Sequence, residues 1–305
     1  MKIHLDKKAI GQRMFDELKK QFGSHLITEE LSSDVTYRVM LPFVVSDDEL
    51  SKTPNLSHIQ LVTAGYDQMD LTKLKQHRIN LYNAKDVYSD TIAEDILTKI
   101  FVLNRNVKNY VKQMTEGAWV RHKNEYELYN TTVGFIGLGS LSNALVKRLE
   151  GFDCTFLGYR RSTQKDPKFQ EIYTDQNGLD LLLTKSDYVI VTLPLNKETN
   201  GLLTKERLMH MKNSALLINV GRGEVIVQDD LIELLQTKQI RGAGLDVCYP
   251  EPLPRDHILW TLDNVYITPH NAPSSIHQSK RLQSLIVKNI QAYLTDHPMV
   301  NEVNY

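Results

Sequence analysis

The stretch "VGFIGLGSLS", Val133–Ser142, carries the strongest structural signal in the chain. Its apolar first half is typical of a buried strand, and the helical pattern "NALVKRLEGF" follows it. Gly137, Gly139 and Ser142 occupy the three glycine positions of a G-x-G-x-x-G turn. Gly137 permits the tight turn, and Gly139 lets the backbone approach a pyrophosphate at the helix N-terminus. A serine at the third position adds a Cβ and a hydroxyl without blocking phosphate, so the stretch predicts a dinucleotide-binding unit.

The residues that follow the next predicted strand, "CTFLGY", indicate which dinucleotide the unit binds. In NAD sites an Asp or Glu about 20 residues beyond the glycines accepts hydrogen bonds from the adenosine ribose. Here that place is taken by Arg160, followed by Arg161 and Ser162. A carboxylate would repel the 2′-phosphate of NADP, whereas guanidinium groups bind it through charge-assisted bonds. The sequence therefore favours NADP(H) over NAD(H), the alternative being two solvated surface arginines.

Strand patterns alternate with helical patterns along the whole chain. The first series of strand patterns is "KIHL", "YRVML", "IQLVT" and "INLYN", and the second is "TVGFIGL", "CTFLGY", "YVIVTL", "ALLINV", "GAGLDV" and "VYITP". Such alternation is typical of parallel sheets with helices on both faces. We therefore predict an α/β protein with two doubly wound parallel-sheet domains.

A long helical pattern and a polar connector separate the two series of strands. The helical pattern, "SDTIAEDILTKIFVLNRNVKNYVKQM", has Ser89 or Asp90 as its N-cap, and "RHKNEYELYNTT" is the connector. The tail "SKRLQSLIVKNIQAYL" is a predicted helix that packs back on the first series, which makes the first domain discontinuous. The predicted domains are residues 1–101 with 276–305, and residues 102–275.

The composition excludes several classes of protein. The 305 residues are 41% hydrophobic and 24% charged, with a net charge of −1, so no basic excess points to nucleic acid or to an acidic membrane. No apolar run approaches the roughly 20 residues of a membrane span, and no signal peptide precedes the first strand. The two cysteines, Cys154 and Cys248, form neither a disulfide framework nor a zinc-binding spacing. We expect a cytoplasmic protein without a metal.

Three polar residues each follow a predicted strand of the second series. They are Arg222 in "LINVGRGEVI", Glu251 in "GAGLDVCYPEPLP" and His270 in "VYITPHNAPSS". Because the carboxyl ends of parallel strands meet at one edge of a sheet, we expect the three side chains to lie together there. Each has an ordinary structural explanation taken singly. His257 in "PRDHIL" is the rival histidine, and we interpret it as a loop residue.

These motifs in this order resemble the D-isomer-specific 2-hydroxyacid dehydrogenase family, which includes glyoxylate/hydroxypyruvate reductases. The resemblance covers nearly the whole second series, above all residues 186–225 and the pairing of "PEPLP" with "TPH". It continues more faintly into the first series through "LVTAGYDQMDL". It implies a flavodoxin-like substrate domain with an inserted Rossmann NAD(P)-binding domain. Ser142 and Asn271 depart from the commonest family wording without removing a catalytic atom.

The resemblance also implies a role for each matching residue. The catalytic residues are Arg222, Glu251 and His270. The cofactor-binding residues are Gly137, Gly139, Ser140, Leu141, Arg160, Arg161, Ser162, Pro194, Thr199, Val220, Gly221 and Asp246, with Asp246 binding the nicotinamide carboxamide. The substrate-binding residues are Ala64, Gly65 and Tyr66 together with Arg222, and the backbone N–H groups of the 64–66 loop receive the substrate carboxylate.

The reaction implied is the reduction of a small 2-oxo acid, such as glyoxylate or hydroxypyruvate, to the D-2-hydroxy acid. His270 would supply the proton, Glu251 would fix the ring and favour its protonated form, and Arg222 would hold the substrate carboxylate and keto oxygen. The alternatives are an NAD(P)-binding sensor or corepressor that keeps the dehydrogenase fold, and a plain NADP-binding module. The family also implies a homodimer.

Overall fold

The computed structural model describes residues 1–304, which fold into two compact units. The first unit is residues 1–88 with 275–304, and the second is Ser89–Ser274. The predicted division after residue 101 falls inside a helix that begins at Ser89, whereas the two units divide before that helix starts. Within residues 1–304, no helix is long and apolar enough to cross a membrane.

The first unit is built on a five-stranded parallel sheet with the order β2-β1-β3-β4-β5. Its strands are β1 (Lys2–Leu5), β2 (Ile27–Thr28), β3 (Val35–Met40), β4 (His58–Leu61) and β5 (Asn80–Tyr82). Its helices are α1 (Lys7–Phe22), α2 (Asp47–Lys52), α3 (Leu71–Gln76) and the C-terminal α10 (Gln278–Leu294). Tyr293 of α10 donates a hydrogen bond to Thr36 at 2.7 Å, which joins the tail to this sheet. The strand order is the flavodoxin-like one.

The second unit is built on a seven-stranded parallel sheet with the order β12-β11-β10-β9-β6-β7-β8. Its strands are β6 (Thr132–Ile136), β7 (Thr155–Tyr159), β8 (Glu171–Tyr173), β9 (Tyr188–Val191), β10 (Leu216–Asn219), β11 (Gly242–Leu245) and β12 (Val265–Ile267). Its helices are α4 (Ser89–Asn104), α5 (Val107–Glu116), α6 (Ser140–Leu149), α7 (Gln176–Lys185), α8 (Lys205–Leu208) and α9 (Gln228–Gln236). The strand order reverses at β6, and α/β proteins bind ligands at such a switch point. The predicted α/β class with two parallel-sheet domains is confirmed.

The central strands of the second unit are buried on both faces. In β9, Val189 and Val191 pack into one hydrophobic cluster, whereas Tyr188 and Ile190 pack into the cluster on the opposite face. Side chains alternate across a strand, so a continuous apolar run such as "YVIV" fills two cores at once. This burial holds the carboxyl ends of the strands in a rigid row.

The predicted long helix is wrong as a single element. The chain forms α4 and α5 instead, and Asn106 between them has φ +49, a left-handed conformation that a helix interior does not contain. Ser89 lies in the first turn of α4 and not at its N-cap. The short edge strands β2 and β8 were not predicted, since runs of two and three residues give too little alternation to detect.

Candidate active site

The turn after β6 requires glycine at its first position. Gly137 has φ +104, and a Cβ there would lie 2.7 Å from Thr192 Oγ1. Gly139 is the N-cap of α6, and a Cβ added there would meet no atom within 4 Å, so this side of the turn is open. The N–H groups of Ser140 and Leu141 begin the helix without an acceptor among residues 1–304. A helix N-terminus of this kind binds anions through its N–H groups and dipole.

Ser142, the departure from the glycine motif, caps the same helix. Its Oγ accepts the Gly139 N–H at 2.7 Å and donates to the Gly139 carbonyl at 3.0 Å. Ser142 is itself buried, with 1% of its surface exposed. The serine therefore ties down the turn from inside and leaves the N–H groups of Ser140 and Leu141 available to a ligand.

The two arginines after β7 lie in different environments. Arg160 Nε and Nη2 are buried and have no hydrogen-bond acceptor among residues 1–304. Arg161 is exposed and forms an ion pair with Glu198 at 2.9 Å. Burying a guanidinium nitrogen without an acceptor is costly. Arg160 Nε and Nη2 are therefore unsatisfied donors within residues 1–304. The neighbouring Ser162 is exposed.

The loop after β9 is held by its own side chains. Thr199 Oγ1 donates to the Pro194 carbonyl at 2.6 Å and accepts the Asn196 N–H at 2.8 Å. Asn196 Oδ1 in turn accepts the Thr199 N–H at 3.0 Å. Thr199 thus shapes the loop that presents Pro194, and its hydroxyl is engaged within the loop.

Glycine is needed on both sides of Arg222 because neighbouring loops pack closely against the backbone at these two positions. A Cβ on Gly221 would lie 2.6 Å from the Leu193 carbonyl oxygen, and one on Gly223 would lie 2.3 Å from the Cys248 carbonyl oxygen. Asn219 Nδ2 donates to the Arg222 carbonyl at 2.9 Å, and Asn219 Oδ1 accepts the Gly221 N–H at 3.0 Å. The loops after β9, β10 and β11 therefore meet at one edge of the sheet. Val220, the first residue after β10, is partly exposed there.

Glu251 and His270 form a direct pair at this edge. Glu251 Oε2 lies 2.7 Å from His270 Nδ1, and Glu251 Oε1 accepts the Cys248 N–H at 3.2 Å. The His270 side chain is 45% exposed. Because Nδ1 is bound to the carboxylate, Nε2 is the ring nitrogen that a substrate can meet. The structure thus brings together two of the three predicted catalytic side chains in direct contact.

His270 itself has a strained backbone that Asp246 supports. Its φ is +49, and its N–H donates to the Asp246 carbonyl at 2.8 Å. Asp246 Oδ1 accepts the Asn271 N–H at 2.9 Å and the Thr268 hydroxyl at 2.6 Å, and Oδ2 accepts the Ala272 N–H at 3.1 Å. Asp246 is 3% exposed. Its carboxylate therefore holds the backbone on both sides of the histidine.

The rival histidine is a structural residue. His257 Nδ1 accepts the Leu259 N–H at 3.3 Å and caps the short 3₁₀ helix Ile258–Trp260. The thiol of Cys248 lies beside the site, and burial raises its pKa to about 11. A thiol with so high a pKa is neutral near pH 7 and is a poor nucleophile.

In the first unit, the loop after β4 has its carbonyl groups engaged. Asn83 Nδ2 donates to the Ala64 carbonyl at 2.8 Å, and Thr63 Oγ1 donates to the Gly65 carbonyl at 2.8 Å. The N–H groups of Ala64, Gly65 and Tyr66 have no acceptor among residues 1–304. The Tyr66 ring packs against the hydrophobic core of this unit. The loop therefore presents amide donors, as a carboxylate-binding loop requires.

Sequence reasoning missed two polar residues, one buried and one partly buried, that support the site. Asn219, 1% exposed, and Thr268 hold the backbones of Arg222 and His270. Both lie inside the quoted motifs, but only the neighbouring Arg222 and His270 were singled out there. The signal available was a polar residue at or just after the end of an apolar strand. No group of three or more His, Cys, Asp or Glu side chains within residues 1–304 is arranged to hold a metal ion.

Comparison with known proteins identifies the family. The NAD-binding domain of the D-isomer specific 2-hydroxyacid dehydrogenases matches residues 97–272. The chain belongs to this family. The match spans the glycine turn and all three predicted catalytic residues, and it confirms the resemblance read from the sequence motifs.

Members of the family resemble the chain over most of its length. A probable 2-ketogluconate reductase of Dictyostelium discoideum is 34% identical over 86% of this chain and 80% of its own length. A glyoxylate reductase of Thermofilum pendens is 34% identical over 87% of this chain and 81% of its own length. The crystal structure of a dehydrogenase of this family from Xanthobacter autotrophicus, in complex with NADPH and MES, is 26% identical. It covers 99% of this chain and 98% of its own, with a TM-score of 0.84.

We predict that Ser142→Ala lowers the free energy of unfolding by about 1 kcal/mol, because it removes both hydrogen bonds of the cap. Thermal unfolding followed by circular dichroism measures the change. Ser284→Ala, at an exposed position in α10, is the matched control and should shift the stability by less than about 0.5 kcal/mol. An unfolding temperature for Ser142→Ala equal to that of the control would show that the serine does not stabilise the turn.

Proposed function

We propose that the protein is an NADPH-dependent reductase that converts a small 2-oxo acid to the D-2-hydroxy acid. The observation that carries the proposal is the Glu251–His270 pair, 2.7 Å apart, at the sheet edge where the glycine turn and the Arg222 loop also lie. A proton donor, a guanidinium and a dinucleotide turn are the groups that carbonyl reduction needs. Membership of an oxidoreductase family supports the same conclusion.

Different side chains of the second unit carry out different steps of the reaction. Arg222 binds the carboxylate and keto oxygen of the substrate and stabilises the negative charge that develops on that oxygen. His270 delivers the proton to the oxygen from Nε2, since Nδ1 is bound to Glu251. Glu251 orients the ring and keeps its charge compensated. Bound NADPH supplies the hydride that the keto carbon accepts.

The residues around the glycine turn fit a bound NADP(H). The N–H groups of Ser140 and Leu141 at the start of α6 would hold the pyrophosphate. The buried Nε and Nη2 atoms of Arg160 lack an acceptor within residues 1–304, and the 2′-phosphate of NADPH would supply one. The related structure from Xanthobacter autotrophicus is a complex with NADPH, which supports this choice of cofactor. Asp246 Oδ2, with one bond to Ala272 N–H within residues 1–304, keeps a lone pair for the nicotinamide carboxamide.

We also propose that the Ala64–Tyr66 loop of the first unit is a carboxylate-binding loop, since its amide N–H groups have no acceptor within residues 1–304. The curated relatives include a glyoxylate reductase and a probable 2-ketogluconate reductase, and these names support a 2-oxo acid as the substrate.

A cytoplasmic location agrees with the two free cysteines, Cys154 and Cys248.

The proposal is tested by the loss of nicotinamide absorbance when NADPH is mixed with a panel of 2-oxo acids, with NADH in parallel. We expect turnover with at least one small acid, glyoxylate or hydroxypyruvate among them, and faster turnover with NADPH than with NADH. Tight binding of NADPH with no turnover of any acid would instead favour a sensor.

We predict that His270→Asn lowers kcat by about 10²- to 10⁴-fold, because the general acid is lost. Binding of NADPH, followed by fluorescence titration, should stay close to that of the wild type. His257→Asn is the matched control, since asparagine can cap the same 3₁₀ helix, and it should keep nearly full activity. Equal activity of the two variants would remove His270 from the proposed mechanism.

We predict that Arg160→Ala weakens NADPH binding about 10- to 100-fold, as expected for the loss of charged hydrogen bonds. NADH binding should change little, because NADH has no 2′-phosphate. Arg161→Ala is the control, and its effect should be smaller because Arg161 is exposed and already paired with Glu198. An unchanged ratio of NADPH to NADH affinity in Arg160→Ala would contradict the assignment.

We further propose a homodimer, as the family resemblance implies, and we place α5 in its interface. No residue of α5 is buried in the single chain. Val107, Val111 and Met114 are 36%, 55% and 80% exposed and lie at helical spacing on one face. Trp119, just beyond the helix, is 95% exposed. An apolar surface of this kind is typical of a protein–protein interface, and a second copy of the chain is the occupant proposed here.

We predict that Val111→Glu combined with Met114→Glu converts the dimer to single chains, because two carboxylates would have to be buried in the interface. Size-exclusion chromatography with light scattering measures the mass directly. Lys112→Glu, on another face of the same helix, should remain dimeric. A wild-type mass of one chain would contradict the proposal.

A further inference from the structure

Lys99 is a charged residue with no exposed surface. It belongs to α4 and is 0% exposed, although the helix pattern around it gives no reason to bury an ammonium. A Cβ on Gly244 of β11 would lie 2.8 Å from Lys99 Cβ and 3.2 Å from Cδ. Glycine at position 244 therefore leaves the space in which the lysine stem lies against β11. Burying a lysine is costly unless it is paired and hydrogen-bonded, so its partners are informative.

The Lys99 ammonium lies between two carboxylates and a hydroxyl. Its Nζ donates to Asp95, one turn earlier in α4, and to Thr268 Oγ1 at 2.6 Å. It lies 4.0 Å from Asp246 Oδ1. Burial raises the pKa of the Asp95 carboxyl, although the hydrogen bond from Lys99 opposes this rise. The ammonium thus compensates two acidic groups in the same interior region.

The direction of these hydrogen bonds follows from the chemistry of the ammonium. A protonated lysine can only donate, so Thr268 must accept from Lys99 and use its own proton elsewhere. That proton goes to Asp246 Oδ1, 2.6 Å away. Asp246 then accepts the N–H groups of Asn271 and Ala272, which follow His270 directly. One chain of hydrogen bonds therefore joins Lys99 to the backbone of the histidine loop.

This loop needs support from outside its own sequence. His270 adopts φ +49, which costs a non-glycine residue of order 1–3 kcal/mol unless the surroundings impose it. Its side chain is 45% exposed, so contacts with the protein interior do not fix the ring. The backbone bonds to Asp246 and the single bond to Glu251 determine where Nε2 points.

We propose that Lys99 is a positioning residue for His270, acting through Thr268 and Asp246 to hold the histidine loop in its reactive conformation. The effect on turnover rests on the function proposed above, whereas the effect on the loop does not. Without the ammonium, Thr268 can rotate its hydroxyl away, and the partly buried Asp95 and the buried Asp246 lose the charge that compensates their carboxylates. The loop after β12 then loses its fixed anchor.

The test compares Lys99→Met, which keeps the length and apolar stem of the side chain, with Lys147→Met at an exposed position of α6. In Lys99→Met we expect kcat per folded protein to fall about tenfold or more, because small misplacements of a catalytic group are costly. The KM for the 2-oxo acid should stay within about threefold, since Arg222, the group of this unit assigned to the substrate, is unchanged. Backbone deuterium exchange in a peptide covering residues 268–275 should become faster. Lys147→Met should match the wild type in all these measurements.

A second pair of variants covers the case in which Lys99→Met does not fold. Thr268→Val keeps the shape of the side chain without the hydroxyl and should reproduce the losses in kcat and in exchange protection, whereas Thr268→Ser keeps the hydroxyl and should restore most of both. Where Lys99→Met folds, the double variant Lys99→Met/Thr268→Val should be little worse than either single variant, as for residues in one chain of interactions.

The inference is overturned if Lys99→Met or Thr268→Val keeps wild-type kcat and wild-type exchange in the loop, or if their effects on kcat multiply. A wild-type protein that turns over no 2-oxo acid would instead contradict the proposed function. In that case the deuterium exchange of the 268–275 peptide still decides whether Lys99 holds the loop.

Discussion

The Asp246 carboxylate is the interaction on which the geometry of the site depends. It lies at the end of β11, buried, and its two oxygens accept the Thr268 hydroxyl and the N–H groups of Asn271 and Ala272. Its backbone carbonyl accepts the His270 N–H. A single residue at the end of one strand thus fixes the loop at the end of the next. The exposed imidazole gains a defined position without being buried, which leaves its Nε2 open to a ligand.

The parallel sheet explains why so few side chains are enough to fix the geometry of the site. The central strands pack against a hydrophobic cluster on each face, and their parallel ladders align them, so their carboxyl ends form a fixed row. Glycine is needed on either side of Arg222 because the loops at the carboxyl ends of these strands are in contact. A Cβ at Gly221 or Gly223 would collide with the carbonyl oxygen of a neighbouring loop. The reversal of strand order at β6 places the open glycine turn in the same row. The topology of one parallel sheet therefore brings the glycine turn, the Arg222 guanidinium and His270 to the same edge.

Sequence reasoning was most successful where function lies at the end of a strand. Gly137, Arg222, Glu251 and His270 were recognisable because each follows an apolar run, and the topology of parallel sheets brings such positions to one edge. The assigned roles stay predictions, but the Glu251–His270 contact was expected and is present.

The features that sequence reasoning missed depend on contacts between distant segments. The buried Lys99 resembles an ordinary solvated lysine until Thr268, 169 positions further along the chain, is placed beside it. The Ser142 hydroxyl could be recognised as a departure from the motif but not as a cap, because its partners depend on the exact turn. The break at Asn106 was missed because the helical pattern continues across it, although asparagine tolerates the left-handed conformation.

The configuration of the product tests the proposed arrangement of Arg222 and His270 directly. Hydroxypyruvate is reduced with NADPH by the wild-type protein, and the resulting glycerate is analysed by chiral chromatography. One geometry for Arg222 and His270 presents one face of the keto carbon, so we expect the D-isomer alone. A product of the L configuration, a mixture of both isomers, or no glycerate despite consumption of NADPH would contradict it.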